Sequence, residues 1–193
     1  EVIEEAEDIA WSAGQVPSSL HLLLAFFIAP NEVERFLTEG GADEEHLLEH
    51  AAGYPAHVRF DRRLPPRVLP GSWDAWRHIV LDAARTAREA PAGRRAVYSD
   101  LGFILLGAAL EVILGRPLST AFAELGTPLF YRDLRGPPAP TIARPAASIA
   151  PTEAGLLGVV HDENARAMGG AAGHAGLWGT AEGVLEVCES LLR

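Results

Sequence analysis

Three stretches rich in proline or glycine constrain the fold of this 193-residue chain more than any other feature. They cover residues 60–71, 136–153 and 158–180, and such density of proline and glycine favours turns and loops over regular elements. Between them the apolar residues recur at helical spacing, and no segment carries a strong strand pattern. We therefore predict a mainly α chain with long irregular loops.

Capping residues locate the helices within this frame. Ser72 can open a helix over residues 73–90, and an apolar helix is predicted for residues 101–114. The face that we expect the first of these helices to bury consists of Trp76, Val80, Ala83 and Ala87. Thr180 can cap a last helix that contains Cys188, the only cysteine. No internal disulfide can form, and we expect Cys188 to be a small buried residue.

The charge of the chain is unevenly distributed. The formal net charge is −10, and residues 1–50 carry twelve acidic residues and one arginine. This asymmetry indicates two segments of different character. An acidic chain repels phosphate groups, so we predict no nucleic-acid binding. No apolar stretch reaches the roughly 20 residues of a membrane span. Without a signal pattern at the N-terminus, we expect a cytoplasmic chain that binds no membrane.

Lysine is absent from the sequence. All 16 basic residues are arginines, and a guanidinium group stays protonated and cannot serve as a general base. This excludes, within these residues, a Schiff-base lysine, a phosphate-loop lysine and a Ser-x-x-Lys nucleophile pair.

Residues 1–46 resemble the N-terminal helical repeat of the Clp ATPases. The resemblance rests on an alanine-rich first helix, on the Ser-Leu-His-Leu-Leu-Leu-Ala run of residues 19–25, and on Phe36 and Leu37 followed by residues 41–43. It implies a small helical bundle without catalytic residues that binds adaptors or substrates, and hence a protein partner. The alternative is a generic four-helix bundle with a leucine-rich core helix.

Residues 47–193 resemble the serine β-lactamase and penicillin-binding-protein family in four stretches. These are residues 47–55, residues 98–102 (Tyr-Ser-Asp-Leu-Gly), residues 149–153 and the long glycine-rich run of residues 161–178. The last is the most specific. The resemblance implies the helical layer of an α/β (α+β) β-lactamase-like fold, with much of the antiparallel sheet outside this segment. We therefore predict two domains, 1–46 and 47–193, joined by a fusion near residues 47–53.

The resemblance also implies a chemistry. In the family, a Ser-x-x-Lys pair supplies the nucleophile and its activator, and a Tyr-Ser-Asn motif supplies a tyrosine that moves a proton. Tyr98 would take this role, or else it anchors a turn by its hydroxyl. Ser99 would stay structural, and Asp100 stands where the family has Asn. The added negative charge disfavours a nearby oxyanion. We expect an incomplete serine hydrolase, truncated at both ends and inactive, that needs no cofactor.

A second constellation lies in the glycine-rich run. His161, Asp162 and His174 offer two imidazoles and a carboxylate, which are plausible zinc ligands, but their spacing matches no standard helical ligand pattern. The interpretation we favour involves no metal. Asp162 and Asn164 hold loop backbone through side-chain hydrogen bonds, and His174 packs in a glycine-rich turn.

Overall fold

The computed structural model describes residues 44–135 and 149–192, and this part of the chain is mainly helical. Its elements, in chain order, are α1 (Glu44–Leu48), a 3-10 helix (Phe60–Arg63), α2 (Trp73–Arg85), α3 (Asp100–Leu114), α4 (Leu118–Ala123), β1 (Phe130–Tyr131), α5 (Glu163–Ala167), β2 (Leu177–Trp178) and α6 (Ala181–Leu191). The predicted mainly α fold with long loops is confirmed for these residues. The N-terminal bundle and most of the proline-rich stretch 136–153 lie outside them.

The chain divides into two compact units. The described residues of the first are 44–56 and Ala87–Gly102, and those of the second are His57–Thr86, 103–135 and 149–192. The domain boundary expected between residues 46 and 47 stays a prediction.

In the first unit, the loop after α1 is joined to residues 89–100 by backbone hydrogen bonds. The N–H groups of Glu89, Gly93, Val97 and Asp100 donate in turn to the carbonyls of Gly53, Ala51, His50 and Ala56, at 2.8–3.0 Å. Gly53 has a φ of 81°, and a Cβ there would overlap the carbonyl oxygen of Ala90. Only glycine at this position allows the two chain segments to approach this closely.

Helix α2, in the second unit, begins as predicted but ends early. The Ser72 hydroxyl accepts a hydrogen bond from the Ala75 N–H at 3.2 Å, which confirms the predicted cap. The helix ends at Arg85, before the predicted residue 90, because Thr86 is extended. Its buried residues are Ala75, Ile79 and Ala83, so the predicted face was wrong except for Ala83. Helix α2 contacts the 3-10 helix and α5, and Trp76 is only partly buried.

Helix α3 is apolar nearly all round, as its sequence predicted, and most of its residues are buried. It runs from Asp100, one residue before the predicted start, to Leu114. At Gly107 the helix touches the backbone of Gly173, and a Cβ at Gly173 would overlap the carbonyl oxygen of Phe103. This close backbone approach fixes the glycine-rich run against the helix.

Two strands and one short helix of the second unit were missed in the sequence. Strands β1 and β2 pair antiparallel, with Phe130 opposite Trp178 and Tyr131 opposite Leu177. Each strand has two residues, too few for an alternating pattern. Helix α5 lies inside the stretch predicted to be irregular, because Asp162 caps a single five-residue helix there.

Helix α6 begins where predicted but exposes its apolar residues. The Thr180 hydroxyl accepts from the Gly183 N–H at 3.1 Å. Cys188 is exposed, so the prediction of a buried thiol was wrong, and Val184 and Leu185 are exposed with it. An apolar helical pattern identifies a face but not what covers it.

Among the described residues, no helix combines the length and the hydropathy that crossing a bilayer requires.

A buried arginine ties α3 to the segment after β1. The side chain of Arg135 is fully buried and donates to both carboxylate oxygens of Glu111, at 2.9 and 2.6 Å, and to Asp133. Its guanidinium also lies 4.4 Å from the ring centre of Trp73. Burial lowers the pKa of Arg135, but the hydrogen bonds to Asp133 and Glu111 outweigh it and hold the pKa above its usual value. The arginine therefore stays charged, with two carboxylates beside it.

Candidate functional site

The Tyr98, Ser99 and Asp100 motif lies where the loop of the first unit enters α3. Neighbouring residues differ sharply in exposure here: Tyr98 is 72% exposed, whereas Ser99 is 4% exposed. The chain therefore buries the serine and presents the phenol ring to solvent. An exposed phenol can reach a ligand, whereas a buried one cannot.

Ser99 is held by two hydrogen bonds. Its hydroxyl donates to the Pro55 carbonyl at 2.8 Å, and its backbone N–H donates to Nδ1 of His50 at 3.0 Å. With its hydroxyl hydrogen committed to a backbone carbonyl, Ser99 is a structural anchor rather than an available nucleophile, in keeping with the expectation for this motif.

Asp100 is the first residue of α3. Its backbone N–H donates to the Ala56 carbonyl at 3.0 Å, and its carboxylate lies in the first turn of the helix. A carboxylate is stabilised there by the partial positive charge of the helix N-terminus. This accounts for the local acceptability of Asp in place of the Asn of the family motif, although it brings a negative charge next to Tyr98.

His50 is a site residue to which the sequence analysis gave no role. Its ring centre lies 4.5 Å from that of Tyr98, with the planes tilted by 35°. Its φ is 58°, a left-handed backbone conformation that no other described residue except glycine adopts. The family-like stretch 47–55 contains His50, so the signal was present, but its contact with a residue 48 positions later was not readable from the pattern.

The second constellation, in the second unit, forms around Asp162. One of its carboxylate oxygens accepts from the Ala165 N–H at 2.7 Å and caps α5. The same oxygen lies 2.8 Å from Nε2 of His174, whose side chain is 3% exposed. Burial raises the pKa of Asp162, but the hydrogen bonds with His174 and Ala165 outweigh it and hold the pKa below its usual value. Asp162 therefore stays ionised and pairs with a buried imidazole.

Asn164 connects α5 to the segment around the 3-10 helix. It is fully buried, its Nδ2 donates to the Val58 carbonyl at 2.8 Å, and its Oδ1 accepts from the Asp61 N–H at 3.1 Å. A buried amide that satisfies both a donor and an acceptor of another segment is a structural bridge. The predicted backbone-holding roles of Asp162 and Asn164 are confirmed.

His161 does not join this pair. It is exposed and its Nε2 lies 3.4 Å from a carboxylate oxygen of Glu153. The ligand atoms of His161, Asp162 and His174 do not meet as a three-ligand group in the described part of the chain. His161 lies beside Glu153, whereas His174 packs against Asp162.

Tyr131 provides a contrast to Tyr98. It is largely buried, and burial, followed by the charge of Glu111, raises the pKa of Tyr131 to about 12. Its hydroxyl donates to the Ala172 carbonyl at 3.5 Å, and its ring packs edge-on against Phe122. This phenol stays protonated and serves the core.

Two bacterial proteins illustrate what this chain is similar to. A protein of Escherichia coli K12 named "Putative D-alanyl-D-alanine carboxypeptidase" is 29% identical over 169 residues. A protein of the same name from Salmonella agona is 28% identical over 167 residues. In both cases the match covers 76% of this chain and 38% of the relative. The chain thus spans well under half the length of these relatives. No solved structure matches it.

The family model described as Beta-lactamase matches residues 32–193. The match includes all four stretches that carry the resemblance, and it begins within the segment that resembles the Clp repeat. The comparisons give that second resemblance no support, and it lies almost wholly outside the described residues, so it stays a prediction. The chain belongs to the Beta-lactamase family, whose members in the penicillin-binding-protein group are serine hydrolases.

Proposed function

We propose that this chain carries the tyrosine-bearing part of an acyl-serine hydrolase site that acts on D-alanyl-D-alanine-like amides or related esters. The observation that carries the proposal is the contrast at residues 98 and 99: a solvent-presented phenol is anchored by a buried serine at the start of α3. The carboxypeptidase name of the relatives supports the choice of substrate class.

In this reaction, a serine oxygen attacks the carbonyl carbon of the substrate amide. A C–O bond forms, the C–N bond breaks, and the proton of the serine hydroxyl must reach the departing amine. The oxygen of a tyrosine can accept that proton as a phenolate and give it to the amine as a phenol, so Tyr98 is the proposed proton carrier. Water then attacks the acyl-serine ester, which releases the acid and restores the serine hydroxyl.

Asp100 makes this site different from one with the neutral amide of the family motif. The oxyanion that develops on the substrate carbonyl is disfavoured by a nearby carboxylate. We propose that the Asp lowers acylation by amides, and that replacement by Asn relieves this electrostatic effect.

The 193 residues by themselves do not complete the chemistry. They contain no lysine to assist Tyr98 in removing the proton from an attacking serine, and every arginine stays protonated. We therefore propose that the 193-residue polypeptide is not acylated, and that acylation requires a Ser-x-x-Lys sequence in addition to these residues.

The experiment that tests the role of Tyr98 uses this chain joined to a segment that supplies a Ser-x-x-Lys sequence. Tyr98→Phe removes the proton-carrying oxygen and is expected to lower the rate of acylation by fluorescent penicillin about 10²- to 10⁴-fold, the usual size of a general acid–base contribution. Tyr131→Phe is the matched control, since it removes a buried phenol and should leave the rate within about threefold. Equal rates for the Tyr98→Phe variant and the parent protein would refute the assignment.

A further inference from the structure

His50 holds three consecutive residues of the motif at once. Its carbonyl accepts from the Val97 N–H at 2.9 Å, its ring stacks on Tyr98 at 4.5 Å, and its Nδ1 accepts from the Ser99 N–H at 3.0 Å. The backbone on both sides of Tyr98, and the ring of Tyr98 itself, are thus in contact with one histidine.

The hydrogen bond from Ser99 determines which nitrogen of a neutral His50 ring carries the proton. A backbone N–H can only donate, so Nδ1 must offer its lone pair, and the proton of a neutral imidazole sits on Nε2. The tautomer is therefore set by the backbone that His50 supports, and an imidazolium, which has donors at both nitrogens, could not make this bond.

The left-handed backbone of His50 is what brings the contact about. With φ at 58°, His50 ends the turn that closes α1, in which its N–H donates to the Leu47 carbonyl at 3.2 Å and the Ala51 N–H donates to the His46 carbonyl at 2.6 Å. Among residues other than glycine, Asn, Asp and His adopt this conformation most readily. Such conformations persist where surrounding contacts hold them in place, and they cluster at functional sites.

We propose that His50 is the positioning residue for Tyr98, which it orients by a clamp on the flanking backbone and by the stacked ring. The proposal rests on the proposed function of Tyr98. The Ser99 hydroxyl anchors the backbone next to Tyr98 through the Pro55 carbonyl, but it does not orient the ring of Tyr98. Without the clamp, the exposed phenol has no other described ring contact to define its direction.

Two variants separate the side-chain acceptor from the backbone conformation. His50→Asn keeps left-handed backbone and places an amide oxygen close to the position of Nδ1, whereas His50→Gly keeps the backbone and removes the acceptor. Any difference between the two variants therefore reports the side chain and not the turn.

The first measurement is amide hydrogen exchange at Ser99, followed by NMR in the full 193-residue chain. We expect the His50→Asn variant to exchange like the parent, and the His50→Gly variant to exchange roughly tenfold faster. The Glu89 amide, which donates to Gly53 in the same loop without touching His50, is the internal reference and should not change. Unchanged exchange at Ser99 in the Gly variant, or equal acceleration at Glu89, would overturn the proposal.

The second measurement is the ¹⁹F spectrum of the chain labelled with fluorotyrosine. The chain has three tyrosines, and Tyr98→Phe identifies the resonance of residue 98. In both the Asn and the Gly variant the Tyr98 line should move toward that of free fluorotyrosine, while the lines of Tyr54 and Tyr131 stay in place. An unchanged chemical shift of Tyr98 after the loss of the imidazole would mean that the contact with His50 does not orient the Tyr98 ring.

Neither readout needs hydrolysis. A chain in which His50 clamps Tyr98, but in which Tyr98→Phe leaves acylation unchanged, would remove the proposed function and leave the positioning role intact. The opposite pattern would retain the role of Tyr98 and remove that of His50.

Discussion

At the scale of single residues, this chain uses polar side chains mainly to hold backbone. Ser99, Asp162 and Asn164 each satisfy a buried backbone group. Their residue types were readable in the sequence as loop-holding, since short polar side chains favour such bonds. The partners were not readable, because Asn164 reaches Val58, 106 positions away.

Asp162 gives the first prediction at this scale. Its pKa in the folded protein lies below the ordinary 3.8, so its ionised form stabilises the fold above the unfolded pKa, and this stabilisation is lost as the pH falls through the folded pKa. Asp162→Asn can still cap α5 but carries no charge. We expect the parent to be more stable than the variant at about pH 6, and the difference to shrink toward about pH 3.

Urea unfolding of both proteins across this pH range is the measurement. A stability difference that stays constant with pH, or a variant that is the more stable one at about pH 6, would show that the hydrogen bond with His174 does not act as described.

At the scale of elements, features set by residues close in sequence were predicted correctly, and features that depend on distant residues were not. The caps at Ser72 and Thr180 were predicted because the hydroxyl and its N–H partner lie three residues apart. Strands β1 and β2 were missed because their pairing joins residues 46 or more positions apart. The burial of Cys188 was mispredicted for the same reason, since periodicity says nothing about the surface opposite a helix.

Close packing of α3 on the glycine-rich run gives a prediction at the element scale. A Cβ at Gly173 would overlap the Phe103 carbonyl, so Gly173→Ala is expected to destabilise the protein by about 3 kcal/mol. Gly115, at the end of α3, has a φ of 62° and open space around it, so Gly115→Ala should cost only about 1 kcal/mol for the left-handed backbone. Chemical denaturation distinguishes the two, and equal losses would contradict the close approach.

At the scale of the whole molecule, the sequence predicted the family and the helical character of the chain, but not the contacts of His50. Family membership was readable from four stretches of residues, and the mainly α character was readable from helical periodicity. The role of His50 was not, because it arises only when a left-handed turn places residues 97–99 beside it. The absence of lysine is equally a property of the whole sequence. In the proposed function it is the reason why a chain that carries the site tyrosine is not acylated.

The central claim is tested most directly by the intact mass of the folded 193-residue polypeptide after incubation with penicillin. A cooperative unfolding transition, followed by the fluorescence of the four tryptophans, establishes that the sample is folded. Because no lysine is present to activate a serine, we predict a mass identical to that of the untreated protein. A covalent penicilloyl adduct on any serine of the folded chain would contradict the account.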